Sequence, residues 1–575
     1  MNRTLQDKLD KLLASERGAI SKPRDRAVSV ALAYPNTYHV GMSNLGLHRI
    51  YSLLNSREDT RCERVFLPDE EDLPEYDGAG NPLFALESRQ PVKDFDILAF
   101  SVSFEQDYLN VIEILRLSGI PPERSQRGSG HPLVVLGGIC SFFNPEPLAD
   151  FFDVVLTGEG EELAGRFAAA YAQHRQQGRD ELLQEIAKLA GAYVPEYYEV
   201  RYDQDGTIRE RKALVPEAPE MIIKQVARDL DAKPASTVIL TPETEFSNMH
   251  LSEVTRGCGR HCRFCMAGYI YLPPRNLGLD AAKAQAKHAD ETCGRIGLVG
   301  AALSDYPEIE GLCDAITGSV SVSSLRADSL SEKLVARLAA SGHKTIALAP
   351  EAGSERLRKV INKGVTEGDI LAAADKVFRA DIPNLKLYFI IGLPTETQED
   401  VDGIIDLAKK VHEVQLDHAR PRGRIGRITL SVNSFVPKPF TPFQWEPMEA
   451  VSSLNRKIRN LEKAVKNIGN MNIIHDLPKW EYFQAMLSRG DRRLGKLLLA
   501  AHGKSGDWKA AARETGTDMD FYVTRRRGLT EVLPWDFIDI GVRKEYLRNE
   551  FNRGMEGKFT PPCKVGTCRT CGVCR

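Results

Sequence analysis

The stretch His250-Leu-Ser-Glu-Val-Thr-Arg-Gly-Cys258-Gly-Arg-His-Cys262-Arg-Phe-Cys265 decides the reading of this chain. Residues 250–255 read as a strand, and directly after it three thiols crowd one tight loop. Downstream, residues 296–301, 319–324, 345–349, 385–391 and 428–435 read as further strands, with helical runs such as 330–340 and 400–414 between them. Strands alternating with helices build parallel sheets. Six such repeats fall short of the eight of a closed (β/α) barrel, so the expected form is an open, partial (β/α)6 barrel. Loops at the C-terminal ends of its strands are where a site forms, and the cysteine loop is the first of them.

Upstream, apolar runs at 27–33 (AVSVALA), 95–102 (FDILAFSV), 132–136 (PLVVL) and 152–156 (FDVVL) suit strands buried on both faces. Helical spacing at 45–54, 108–117 and 161–174 fits between or after them, which predicts a second, doubly wound (Rossmann-like) α/β domain. Its strands are followed by Gly137-Gly138 and by Gly158-Glu159-Gly160, at positions where open α/β sheets hold ligands. Residues 197–211 (YYEVRY, Asp205-Gly206, TIRER) read as a hairpin. The expected layout is an N-terminal helix (1–25), a doubly wound domain (26–185) and a linker with the hairpin (186–245). The partial barrel (246–450), a mainly helical region (451–560) and a Cys-rich tail (561–575) follow.

The 575 residues carry 76 Lys and Arg against 79 Asp and Glu, a net charge of −3, so no global field marks nucleic acid or an anionic membrane as partner. No apolar run reaches the ~18–20 residues of a membrane helix, and the N-terminus lacks a signal-peptide core; a cytoplasmic protein is expected. Eleven cysteines are unevenly spread, three at 258–265 and four at 563–574. Clustered thiols in such a chain read as metal ligands, not as a disulfide framework. Three close thiolates can hold three irons of a four-iron cluster and leave the fourth open. A structural zinc site would need a fourth nearby ligand, for which His261 is the candidate. The terminal set, Cys563-x4-Cys568-x2-Cys571-x2-Cys574, offers four thiolates and suits either zinc or a second iron–sulfur cluster.

The CxxxCxΦC pattern, with Phe264 as the aromatic, resembles the radical S-adenosylmethionine (SAM) superfamily. The likeness extends through Glu351-Ala-Gly-Ser354 and Gly392-Leu-Pro-Thr-Glu396. It implies a 4Fe-4S cluster on Cys258, Cys262 and Cys265 whose open iron chelates SAM. Reductive cleavage then gives methionine and a 5′-deoxyadenosyl radical that abstracts a hydrogen atom, the electron coming from a donor such as flavodoxin or ferredoxin. It also implies SAM contacts from Phe264, Gly300, Ala301, Ser324, Arg326, Glu351, Arg356, Gly392 and Leu393. Leu136-Gly-Gly138 and Thr157-Gly-Glu-Gly160 resemble the cobalamin-binding domain that precedes many such barrels. That likeness implies a corrin near Gly137, Gly138, Gly158, Glu159 and Gly160. The Asp-x-His-x-x-Gly ligand motif is not matched by the stretch around His39, so a corrin without a histidine ligand is expected. Phe104, Glu105, Phe142 and Phe143 have a plain alternative as core or rim. The domain order, with Leu533-Pro-Trp-Asp-Phe-Ile-Asp539 and the terminal cysteines, resembles a family of cobalamin-binding radical SAM proteins.

The leading expectation is a cobalamin-dependent radical SAM enzyme, most simply a methyltransferase acting on a substrate the sequence does not name. One alternative is an RNA-modifying enzyme like the methylthiotransferases. It draws on Pro437-Lys-Pro439-Phe440 and on Arg420, Arg422, Arg424, Arg427 and Arg525 to Arg527 as phosphate contacts. Another is a non-catalytic cobalamin or redox sensor.

Overall fold

The computed structural model describes residues 3–25, 28–77 and 81–574. Met1, Ala27 and Arg575, which bound the expected first helix, first strand and tail, lie outside them.

The N-terminal sheet contains β1 (Val28–Thr37), β2 (Thr60–Leu67), β3 (Ile97–Ser101), β4 (Leu133–Gly137), β5 (Val154–Leu156) and β6 (Ala192–Tyr193). Its order is β2-β1-β3-β4-β5-β6, parallel except for β6. Strand order reverses between β1 and β3, and at such a switch point the strand C-termini leave a crevice for a ligand. Four of these strands match the apolar runs. β2 was hidden from a hydropathy reading because its sequence, TRCERVFL, looks like surface. In the fold Arg61 pairs with Glu63, and Arg64 with Glu16 at 2.6 Å and Glu87 at 2.7 Å, all buried. Paired charges can occupy a core strand where single ones could not.

The hairpin forms from β7 (Tyr198–Tyr202) and β8 (Ile208–Ala213), followed by the short β9 (Ile222–Ile223). The barrel contains β10 (His250–Arg256), β12 (Arg295–Gly300), β13 (Ser319–Val322), β14 (Thr345–Glu351), β15 (Asn384–Ile391) and β16 (Ile428–Ser434), with β11 (Arg275–Asn276) antiparallel on the edge of β10. These are the six expected strands. They pair parallel in two runs joined by a bridge between Leu325 and Leu348. A seventh parallel strand, β17 (Met471–His475), adds to β16 inside the region expected to be helical. Among the described residues no ladder joins β17 back to β10 or β11, so the barrel is open. Helices Val451–Lys466, Pro478–Arg489, Leu494–His502, Trp508–Thr515 and Lys544–Met555 make up most of the C-terminal region, and β18 (Ile538–Asp539) pairs with β9. The expected linker is thereby stitched at both ends, through β6 to the first sheet and through β9 to the C-terminal region.

Candidate active site at the barrel mouth

β10 ends at Arg256, and the chain turns at once through Gly257, whose φ of +79° and closeness to the Tyr271 carbonyl oxygen leave no space for a side chain. The cysteine loop follows. Between its second and third cysteines, the fully buried Arg263 donates to Lys359 O and Val360 O (3.0 and 2.9 Å), Glu550 (3.0 Å), Lys558 O (2.8 Å) and Thr560 Oγ1 (3.1 Å). The guanidinium has five donors in a rigid fork, which suits it to pin one loop to two other segments. Asn362 adds amide donation to the carbonyls of Arg260 and His261, both at 3.2 Å.

Cations ring the loop. Arg260 binds Asp305 (2.5 Å) and Asp328 (2.9 Å), and Arg326 binds Asp328 (3.0 Å) and the Lys363 carbonyl (3.0 Å). Lys363 is nearly buried and pairs with Glu351 at 3.0 Å. Burial alone would lower the Lys363 pKa, but Glu351 and the facing Cys262 thiol raise it. Burial pushes the Cys265 thiol up to about 12 and raises Cys258 as well, so each holds its proton until a metal cation displaces it.

Among the described residues the one group of three or more His, Cys, Asp or Glu ligand atoms within 4.8 Å of one another is Asp69, Glu71 and Asp72, which Lys8 already bridges. His261, the candidate fourth zinc ligand, has its ring packed against Tyr269 and Tyr546, and burial keeps it neutral. The donor set fits a 4Fe-4S cluster with one open iron.

Two cavities flank the loop. The first, of ≈ 720 Å³, lies between the switch point of the N-terminal sheet and the barrel mouth, and Gly257, Ala267, Gly300, Ala301 and Ser323 line its barrel side. All five residues expected to approach a corrin (Gly137, Gly138, Gly158, Glu159, Gly160) line the other side. The cavity then runs back as an apolar slot between Leu32, Ala99 and Val135 on the sheet and Ala164, Phe167 and Ala168 on the helix Gly160–His174. Phe142 stands on its wall, edge-on to Tyr271 of the barrel. The second cavity, of ≈ 1060 Å³, opens on the barrel interior and holds Phe264, Ser324, Glu351 and Lys438, with Phe104, Leu477 and Trp480 exposed at its rim. Neighbouring residues, Ser323 and Ser324, line one cavity and the other.

Several expected roles change. The Glu159 carboxylate is held by Arg256 and Arg275, each at 2.7 Å, and by the Ala227 amide. Burial would raise its pKa, but the two guanidiniums overrule that and keep it charged. Glu159 is a latch between the domains. Gly138 and Gly158 are glycines because a Cβ would strike Val102 and Gln225 backbone atoms at 2.4 and 2.3 Å, respectively. Arg326 and Glu351 face the cysteine loop with their charges already paired. Arg356 binds Asp400 and the Thr395 carbonyl, half-exposed, and lines neither cavity; it clamps the Gly392-Leu-Pro-Thr-Glu396 turn to the next helix. Gly392 and Leu393 also line neither cavity, the Gly392 amide being bound by Glu396. His39 is exposed beside Glu245 and lines neither cavity. Glu105 is buried and paired with Lys438. Sequence reading missed Arg260, Arg263, Asn362 and Lys363, because nothing in an isolated Arg or Lys signals which carbonyls it will meet.

Residues 46–195 match the family model described as "Radical SAM proteins, N-terminal", and residues 252–408 match that described as "Radical SAM superfamily". The "Uncharacterized protein MJ0966" of Methanocaldococcus jannaschii is 31% identical over 481 residues, covering 82% of this chain and 90% of that relative.

The chain belongs to the radical SAM superfamily.

A radical SAM barrel carries its cluster on the cysteine loop, which is where Cys258, Cys262 and Cys265 stand. A tRNA-2-methylthio-N(6)-dimethylallyladenosine synthase of Methylacidiphilum infernorum is 25% identical over 257 residues, 39% of this chain and 53% of that enzyme. Among solved structures, the cobalamin-dependent S-adenosylmethionine radical enzyme OxsB with aqua-cobalamin bound aligns over 92% of this chain and 80% of its own, at 14% identity and a TM-score of 0.47. The radical S-adenosylmethionine methyltransferase TsrM from Kitasatospora setae aligns over 70% and 72%, at 14% identity and 0.42. Among the described residues no helix is long and apolar enough to cross a membrane.

Proposed function

We propose that this radical SAM protein is a cobalamin-dependent enzyme, most simply a methyltransferase, working on a substrate held in the barrel cavity. The observation that carries the reading is the first cavity: a switch-point crevice, continued by an apolar slot and facing Gly257 and Ala267, which flank the barrel's cysteine loop. A flat macrocycle with a long nucleotide tail has that outline. When bound, the cluster and SAM would supply hydrogen-abstracting radical chemistry, and a corrin would supply a transferable methyl group.

The chain's own residues do the positioning. Arg263 and Asn362 fix the loop so that Cys258, Cys262 and Cys265 present one face. Arg326 and Lys363 bring positive charge to the thiols. Glu159 closes the two domains over the cavity, and the paired Glu105 and Lys438 join the first domain to the rim of the second cavity. Among the described residues no histidine or cysteine lines the first cavity, in keeping with a corrin held without either as protein ligand.

The RNA-modification reading gains a partial sequence likeness, while several of its expected phosphate contacts are already paired. Arg424 pairs with Asp381, Arg525 with Glu531 and Arg526 with Glu446, while Arg527 is buried against the Arg489 carbonyl. Residues 420–427 also precede β16, at the end of the barrel away from the cysteine loop.

Cobalamin content of protein produced anaerobically in medium containing the vitamin tests the proposal. Near-stoichiometric corrin in wild type, lost on Ala164→Trp, which fills the slot, is expected. Absence of corrin from the folded wild type would overturn it.

A further inference from the structure

The four terminal cysteines share an orientation that their neighbours do not. Cys571 is buried and Cys563, Cys568 and Cys574 are half-buried, while Lys564 to Thr567, Arg569 and Thr570 are exposed. The amides of Thr567 and Cys568 both donate to the Lys564 carbonyl, closing a turn that returns Cys568 to Cys563, and the Cys563 thiol faces those of Cys568, Cys571 and Cys574.

This pocket of sulfur is seated on the barrel's cysteine loop. Cys563 N–H donates to Gly259 O at 2.7 Å, next to Cys258. A Cβ on Gly259 would stand 3.4 Å from the Cys563 Cβ. Thr560 N–H donates to Asn362, the residue that braces the Arg260 and His261 carbonyls. On the far side Arg543 holds the carbonyls of Thr570 and Cys571.

We propose that Cys563, Cys568, Cys571 and Cys574 hold a second 4Fe-4S cluster, docked against the loop of the first and serving as its point of electron entry. Cys568-x2-Cys571-x2-Cys574 has the spacing by which one short run wraps a cube, with Cys563 as fourth ligand. The Arg543 side chain packs against Gly572, between Cys571 and Cys574. One electron passes from an external one-electron donor of flavin or iron–sulfur class to the tail cluster, and from there to the barrel cluster. The donor is oxidised by one electron, the barrel cluster is reduced by one, and no bond or proton moves. The role as electron entry rests on the radical SAM reading; the cluster itself does not.

Anaerobically produced wild type, a Cys258/Cys262/Cys265→Ala variant and a Cys563/Cys568/Cys571/Cys574→Ala variant are analysed for iron, sulfide and zinc, and by electron paramagnetic resonance after reduction. Expected are about eight irons in wild type and about four in each variant. The reduced wild-type spectrum should be broadened by coupling between the clusters, which neither variant shows. About four irons with one zinc in wild type, or four irons and no other metal, overturns the second cluster. A wild-type spectrum equal to the sum of the variants' spectra overturns the docking. If a variant misfolds, the wild-type metal count alone decides. Loss of SAM cleavage would leave the iron count of the Cys258/Cys262/Cys265→Ala variant unchanged, so the two readings fail separately.

Discussion

The backbone N–H of Cys563 donates to the carbonyl oxygen of Gly259 at 2.7 Å. One hydrogen bond therefore separates the first residue of the terminal cysteine set from the neighbour of the first barrel ligand. Residues 304 positions apart in the chain are brought together by Arg263, Asn362 and Glu550, which hold the tail's approach segment on the loop.

Gly259 sets how closely the tail can sit. A Cβ there would lie 3.4 Å from both Cys563 and Pro274, so alanine is accommodated and a branched residue is not. Gly259→Val should cost about 1–3 kcal/mol of local stability and speed amide exchange across 560–574, with Gly259→Ala near wild type. Hydrogen-exchange mass spectrometry reads this; equal protection in both variants would show that the contact does not hold the tail.

Glu159 joins the domains through two partly buried guanidiniums. Glu159→Gln leaves Arg275 without its carboxylate while Arg256 keeps Glu161 and Glu253, and breaking such a pair costs about 3 kcal/mol. Thermal denaturation should show a large loss in apparent stability, and limited proteolysis should separate the domains. A melting curve like that of wild type would mean the latch is not what closes the cavity.

Gly138 combines a φ of +86° with a Cβ position 2.4 Å from the Val102 carbonyl oxygen. Gly138→Ala should destabilise the first domain by about 2–4 kcal/mol, from backbone strain and overpacking together. Chemical denaturation measures it. Retention of full stability would restore the idea that this glycine exists for a ligand.

Acid should loosen the same domain through His48. Its ring is buried, bonded to the Met42 carbonyl at 2.9 Å and to the Val238 amide at 3.2 Å. Burial lowers its pKa from 6.5 to about 4. Between those values the unfolded chain binds a proton that the folded one refuses, so His48's contribution is full above pH 6.5 and is lost as pH falls to about 4. His48→Gln should flatten that part of the stability–pH curve. A curve of unchanged slope would rule the histidine out as its source.

The six barrel strands, the helices 108–117 and 160–174 and the three barrel cysteines were legible because each follows a local rule of apolar period, strand-to-loop placement or thiol spacing. β2 was not, because its charges are tolerated only by partners at Glu16 and Glu87, distant in sequence. β17 was not, because MNIIH is too short to stand out between helices. Individual side-chain roles were read least well. Arg356, Gly392 and Leu393 sit at strand ends, where a site is expected, yet their contacts tie turns to helices. Gly138 and Gly158 line the first cavity and are also required by the backbone packed against them.

The central claim is that the Cys258, Cys262 and Cys265 loop turns this barrel into a SAM-cleaving site. Anaerobic incubation with SAM and dithionite, followed by quantitation of 5′-deoxyadenosine and S-adenosylhomocysteine, tests it most directly, with Cys262→Ala as control. The expected result is 5′-deoxyadenosine from wild type and none from Cys262→Ala, joined by S-adenosylhomocysteine once a methyl acceptor is supplied. No 5′-deoxyadenosine from iron-loaded wild type, or equal amounts from both proteins, would contradict it.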